Sequence, residues 1–200
     1  MNVYYFLLNE FDNKDYIRLC QTRPSLKIPE HIAMTFTNES NRLDFESIAK
    51  LLCWCKQLRI KYITLYDDKG ILKLNQKQIY KSFERRLNLL GYQKEINYID
   101  GLSILSKHDG RPKFVDDIKH LLVKLEPDEI NLQSIQNQVD WSSDPQLLIN
   151  FGYPNCLYGF PPWQIRLTEI MSLPMHRNIP QKLFADCLFR YSRITQRLGA

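Results

Sequence analysis

The chain has no CxxC pair, although it carries five cysteines, Cys20, Cys53, Cys55, Cys156 and Cys187. Its four histidines are scattered. Zinc sites need such ligands in close spacings, so the pattern argues against one. An odd cysteine count without a framework fits reduced thiols in a cytosolic compartment. Cys53 and Cys55 stand two apart on a predicted helix and point to different faces. No apolar run is long enough to span a bilayer, and no signal peptide is recognisable. Val3 to Leu8 is apolar but far too short; it reads as the start of an N-terminal element or the stub of a trimmed segment. Internal repeats and low-complexity stretches are absent. Basic clusters are absent too. The longest basic run is Arg85-Arg86, directly after Glu84, and it reads as a solvated helix face. A net charge of +5 suits an anionic ligand or a membrane surface, but it is no nucleic-acid signature.

What is present is a soluble globular composition in 200 residues, enough for one domain with a substantial core. We expect one domain over residues 1–200, with residues 1–25 as an N-terminal element. Ile32 to Thr37, after Pro29, reads as a buried strand. Asn41 and Asp44 resemble a helix start, and Phe45, Ile48, Ala49, Leu52, Cys55 and Leu58 follow at helical spacing. Lys61 to Tyr66 reads as a second strand, with Asp67, Asp68 and Gly70 as a turn. A helix is predicted over Gln76 to Leu90, stopped by Gly91. Gly101 to Leu105 reads as a third strand. Phe114, Val115, Ile118, Leu121, Leu122 and Leu125 make another helical stripe, closed by Pro127. Ile130 to Val139 is a weaker helical segment. Gln146 to Phe151 reads as a fourth strand and Ile165 to Met171 as a fifth. A last helix runs from Pro180 through Ile194. This alternation predicts an α/β fold, a central mainly parallel sheet flanked by helices on both faces. Ligands on such sheets sit beyond the carboxyl ends of the strands. The ends to inspect are Thr37-Asn38-Glu39, Tyr66-Asp67-Asp68 and Asn150 to Cys156.

The chain ends Arg197-Leu198-Gly199-Ala200. Glycine lets the main chain approach a ligand closely, and arginine offers a planar fork that suits phosphate. The tail therefore reads as a small diphosphate hook. On these residues alone the favoured reading is a frayed helix end, with Arg197 favourable at the helix dipole and Gly199 an ordinary C-terminal glycine.

Three segments combine with that tail. They are Pro29-Glu30-His31-Ile32-Ala33, then Trp54 through Asp67, and then Trp163-Gln164-Ile165-Arg166-Leu167-Thr168-Glu169-Ile170 through Ser172-Leu173-Pro174. Together they resemble the cis-prenyltransferase family from Leu26 onward, and above all its non-catalytic, Nogo-B receptor type of subunit. The resemblance implies a cis-prenyltransferase-like fold and a heteromeric dehydrodolichyl diphosphate synthase. The partner carries the active site and binds magnesium; this type of subunit is required but does no chemistry alone. The complex adds isopentenyl diphosphate units to farnesyl diphosphate with cis geometry, towards dolichol and protein glycosylation at the endoplasmic reticulum. The implied location is the cytosolic face of that membrane, peripheral or through an anchor not in this sequence.

Residue by residue, the resemblance implies that Arg197, Leu198 and Gly199 reach the isopentenyl diphosphate in the partner's site. Trp163, Gln164, Arg166, Leu167, Glu169, Ser172, Leu173 and Pro174 fall in the dimerisation region. Without it, Trp163 and Arg166 read as core packing and a surface ion pair. Catalytic members place an Asp-Gly-Asn motif after the first strand; here those positions read Thr37-Asn38-Glu39. A threonine hydroxyl does not replace a carboxylate as a hard-cation ligand. The two arginines that clamp diphosphate fall on Asn150 and Cys156, both uncharged. Asp109-Gly110-Arg111 mimics the missing motif but follows the third strand, and it reads as a turn with Asp109 near a helix start. Glu39 reads as a solvated carboxylate, and Asp67 with Asp68 as a turn-forming pair. Two alternatives remain at this point: a self-sufficient, divergent homodimeric enzyme, and a receptor or binding module that has lost the prenyltransferase role.

Overall fold

The computed structural model describes residues 15–36, 43–91, 101–131, 133–135, 144–153 and 156–195. Five strands form one sheet: β1 (His31–Phe36), β2 (Tyr62–Asp67), β3 (Leu102–Ser106), β4 (Leu147–Phe151) and β5 (Glu169–Leu173). Every pairing is parallel, and the order is β3-β2-β1-β4-β5. The helices are α1 (Tyr16–Thr22), α2 (Phe45–Gln57), α3 (Ile71–Leu74), α4 (Gln76–Leu89), α5 (Arg111–Lys124) and α6 (Gln181–Ser192). The expected α/β architecture with a parallel sheet is thus observed.

Alternation along the strands divides the core. Ile32, Met34 and Phe36 of β1, Ile63 and Leu65 of β2, and Leu147, Ile149 and Phe151 of β4 face one way. They pack with Ile48, Leu52, Trp54, Ile79, Phe83, Phe184 and Leu188, which anchor α2, α4 and α6. On the other face Ala33, Tyr66, Leu148 and Phe160 form a smaller cluster. The chain moves outward from β1 through β2 to β3, then returns to the far side of β1 for β4. The boundary between β1 and β4 is the topological switch point, where such sheets place their ligands.

Local chemistry explains the element ends. Asp44 caps α2, its Oδ1 accepting the Glu46 amide at 3.1 Å and its Oδ2 the Ser47 hydroxyl at 2.6 Å. Asp67 caps α3 through the amides of Ile71 and Leu72, at 2.7 and 3.0 Å. Ser106 and Asp109 cap each other's backbone ahead of α5.

Several expected boundaries are corrected. The fifth strand is Glu169–Leu173, not Ile165 to Met171. Pro162–Gln164 form a single 3-10 turn, and Ile165 packs into the smaller cluster. The ladder to β4 starts only where the Glu169 amide reaches the Gln146 carbonyl. The helix expected from Phe114 begins at Arg111, with Pro112 in its first turn, and the helix expected to Leu90 ends at Leu89. Helices α1 and α3 are additional to the expected elements. Of the segment expected from Ile130 to Val139, residues 133–135 are helical and 136–139 lie outside the described residues. Val3 to Leu8 and Asn41 lie outside them as well.

Candidate functional site

The switch point is built by the carboxyl ends of β1 and β4. Register pairs Thr35 with Asn150 and Phe36 with Phe151. On one face the Thr35 hydroxyl donates to Asn150 Oδ1 at 2.7 Å, and the two residues are only 1% and 2% exposed. On the other face Phe36 and Phe151 stack, with centroids 5.3 Å apart and an interplanar angle of 9°. So Asn150 is half of a closed neutral pair.

The neighbouring strand ends are also occupied by the chain itself. The Tyr66 hydroxyl donates to the Tyr158 carbonyl at 2.7 Å, and its ring stands edge-on to Phe160. Gly159, at φ 87°, packs under the turn at Gly110; a Cβ on Gly110 would lie 2.6 Å from the Gly159 carbonyl oxygen. Only glycine permits that approach. The loop after β4 therefore covers the ends of β2 and β3.

Two of the carboxylates near these ends, Asp67 and Asp109, are engaged. Asp67 is fully buried and spends its oxygens on the α3 amides. Burial raises its pKa, and the amide bonds only partly oppose this. It serves as a cap, where the sequence reading had a turn-forming pair with Asp68. Burial also acts to raise Asp109, but Lys73, at 2.6 Å, and the Ser106 hydroxyl and amide win and hold its pKa below the usual value. Among the described residues no group of three or more His, Cys, Asp or Glu is placed to hold a metal ion. Cys156 is exposed. Cys20, Cys53, Cys55 and Cys187 are buried, and burial pushes the thiols of Cys20 and Cys187 up to about 11. Thr37, Asn38 and Glu39 lie outside the described residues, as do Arg197, Leu198 and Gly199.

The segment Trp163–Pro174 leads to and forms an edge strand, because among the described residues β5 has a neighbour on one side only. Trp163 packs on Phe114 of α5 at 5.1 Å. Gln164 is buried inside the chain, and Leu173 packs against the main core. Arg166 pairs with Asp144 at 3.1 Å. Leu167, Ile170 and Met175 expose 54%, 48% and 51% of their surface along this edge. Ser172 is exposed, while Glu169 and Pro174 are half-buried.

One residue here was not singled out from the sequence. His176, only 7% exposed, follows β5 and accepts the Asp44 amide on Nε2 at 3.0 Å. Burial pushes the ring down to about 4 despite Asp44, and Arg177 adds to the fall. The ring is neutral and an acceptor at physiological pH.

No protein-family model matches the chain. Among curated proteins, it is 31% identical to the human dehydrodolichyl diphosphate synthase complex subunit NUS1, over 86% of this chain and 67% of that protein. The chain belongs to this family of Nus1-type complex subunits. The mouse Nus1 subunit is also 31% identical, over 86% of this chain and 66% of its own length. The Schizosaccharomyces pombe nus1 subunit is 29% identical, over 97% of this chain and 85% of that protein. This Nus1-type chain spans about two thirds of the length of the mammalian relatives. Its fold is similar to that of lavandulyl diphosphate synthase from Lavandula x intermedia, with a TM-score of 0.58 and 18% identity over 84% of this chain and 97% of that one. It is also similar to a probable undecaprenyl diphosphate synthase from Campylobacter jejuni, with a TM-score of 0.56 and 14% identity over 86% and 98%. The expected cis-prenyltransferase-like fold is thereby found.

Proposed function

We propose that this chain is the non-catalytic, required subunit of a dehydrodolichyl diphosphate synthase complex. The observation that carries this is the closed Thr35–Asn150 pair at the switch point of a Nus1-type chain. A site that cleaves an allylic diphosphate needs preorganised positive charge there. Asn150 and Cys156 supply none. The catalytic cis-prenyltransferase partner supplies the aspartate, the arginines and Mg2+, and it condenses isopentenyl diphosphate onto farnesyl diphosphate. This chain meets the partner along Trp163, Arg166, Leu167, Glu169, Ser172 and Pro174, with the exposed Ile170 and Met175 extending that edge. Gln164 and Leu173 act from inside, by shaping the backbone beneath it.

The tail then enters the partner's site. Gly199 offers an unobstructed amide to the isopentenyl diphosphate, Leu198 a second amide, and Arg197 charge. A charge-assisted hydrogen bond of this kind contributes about 1.5–3 kcal/mol, or roughly 10- to 150-fold in catalytic efficiency if kept in the transition state. The complex works at the cytosolic face of the endoplasmic reticulum membrane. No described helix is long and apolar enough to cross a membrane. The outward side of α4, with the end of α3 before it, suits an anionic bilayer surface: Leu74 of α3 and Leu89 of α4 are 84% and 81% exposed, with Lys77, Lys81 and Arg85 between them.

The test is elongation of farnesyl diphosphate by the chain alone, by the chain with its catalytic partner, and by the partnered chain lacking Leu198 to Ala200. Activity is expected only in the intact heteromer, and the truncated chain should assemble but turn over slowly. Robust turnover by the chain alone, as a homodimer, would overturn the assignment. A chain that never engages the partner would return it to a binding-module role.

A further inference from the structure

The loop between β5 and α6 is tied to the amino end of α2 at three points. His176 Nε2 accepts the Asp44 amide at 3.0 Å, Ser47 Oγ accepts the Asn178 amide at 3.0 Å, and Lys50 Nζ donates to the Ile179 carbonyl at 3.4 Å. The same imidazole stands edge-on to Phe36, with ring centroids 5.3 Å apart. Phe36 is the last residue of β1, and Asp44 is the cap of α2. One side chain therefore touches the backbone or ring on each side of the segment 37–42. The loop is strongly determined locally: Asn178 holds φ 47°, in the left-handed region that asparagine tolerates best among residues with a Cβ.

The contacts form a relay. Ser47 donates its hydroxyl to Asp44 Oδ2 while its oxygen accepts from Asn178. A shift of the loop must therefore carry the α2 cap with it or break these partly buried hydrogen bonds, which is costly. Pro174, two residues before His176, ends the edge-strand segment.

We propose that His176 is a positioning residue. It holds the loop after β5 against both ends of the 37–42 segment, and it passes assembly at β5 on to the amino end of α2. The second clause rests on the subunit assignment above. Coupling of this kind needs a contact that differs with the partner bound, and the His176–Asp44 bond is the candidate.

The test is amide hydrogen exchange on the isolated chain and on the heteromer, for wild type, His176→Gln and His176→Phe. Glutamine Oε1 can accept where Nε2 does; phenylalanine keeps a ring against Phe36 but cannot accept. The Asp44 amide is expected to exchange at least roughly tenfold faster in His176→Phe and near the wild-type rate in His176→Gln. Adding the catalytic subunit should slow exchange over residues 44–48 in wild type and His176→Gln, but not in His176→Phe. Undiminished Asp44 protection in His176→Phe would overturn the holding role. Equal partner-induced slowing in all three would overturn the transmission. If His176→Phe does not fold, Ser47→Ala replaces it: the Asn178 amide must exchange faster, and the partner's effect must vanish. A wild-type chain that fails to bind the partner would sink the subunit assignment, and the isolated-chain measurement would still decide the holding role.

Discussion

Replacing Thr35 by valine keeps the shape of a side chain that is 1% exposed but deletes its hydroxyl. Asn150 Oδ1, 2% exposed as a residue, then loses the donor that stands 2.7 Å away. A buried polar group left without its partner costs about 1–3 kcal/mol. Asn150→Leu strands the hydroxyl instead and costs a similar amount. The double variant removes both polar groups, so its cost should be near that of one single change. The cycle should therefore give a coupling of about 1–2 kcal/mol. Urea unfolding reads this directly. With a slope of about 2–3 kcal/mol per molar, each single variant should lower the midpoint by roughly 0.5–1 M, at constant slope. A third variant, Asn150→Arg, puts a charge into this buried pair with no described carboxylate partner, and it should cost about 3–5 kcal/mol. Strictly additive single variants would mean that the two groups share no bond. An arginine variant as stable as wild type would mean that the switch point is open to solvent or ligand, and the reasoning would fail.

Acid should weaken the chain through His176. Its pKa is about 4 in the fold against 6.5 ordinarily, so its neutral-ring contribution is complete above about pH 6.5 and lost as pH falls towards 4. The loss is on the order of 3 kcal/mol, and His176→Gln should show a flatter stability profile across that window in urea titrations. Leu167→Glu, at a side chain 54% exposed on the free edge of the sheet, should leave the melting temperature of the chain within a few degrees but reduce co-purification with the catalytic subunit; unchanged recovery would count against that edge. Gly110→Ala should lower stability by about 1–3 kcal/mol, because its Cβ would meet the Gly159 carbonyl at 2.6 Å; a neutral substitution would mean that the two turns do not pack as described.

The first four strands are legible because each is a short apolar or β-branched run between turn residues. The fifth misleads for a local reason. Ile165 and Leu167 extend its apolar pattern upstream, yet Pro162 forces a turn and Thr168 is held by the Pro145 carbonyl at 2.6 Å. Helix α1 gives almost no periodic signal, since Ile17 and Cys20 are its only buried side chains among the described residues. The region of the site follows from strand alternation, but its closure does not. Thr35 and Asn150 are 115 positions apart, and Asp44 and His176 are 132 apart. Such pairs depend on the register of strands that are not consecutive, which no local pattern encodes. A histidine without a motif around it offers nothing to separate a buried acceptor from a surface residue.

The two halves of the site differ in what they demand from the fold. A diphosphate clamp must hold desolvated cations ready while empty, and unpaired buried charge costs several kcal/mol. The Thr35–Asn150 pair carries no such cost, and the Phe36–Phe151 stack closes the opposite face. With that neutral pair in place, nothing electrostatic keeps the strand ends apart, and the chain's own Tyr158, Gly159 and Phe160 cover the neighbouring ones. The same closure leaves few places where this chain can act on another molecule. Among the described residues β5 keeps an unpaired backbone edge, with Leu167, Ile170 and Met175 exposed beside it. Open strand edges with apolar flanks are hazards unless something covers them. A sealed switch point and an open edge fit the proposed subunit role: this chain offers surface where it offers no charge.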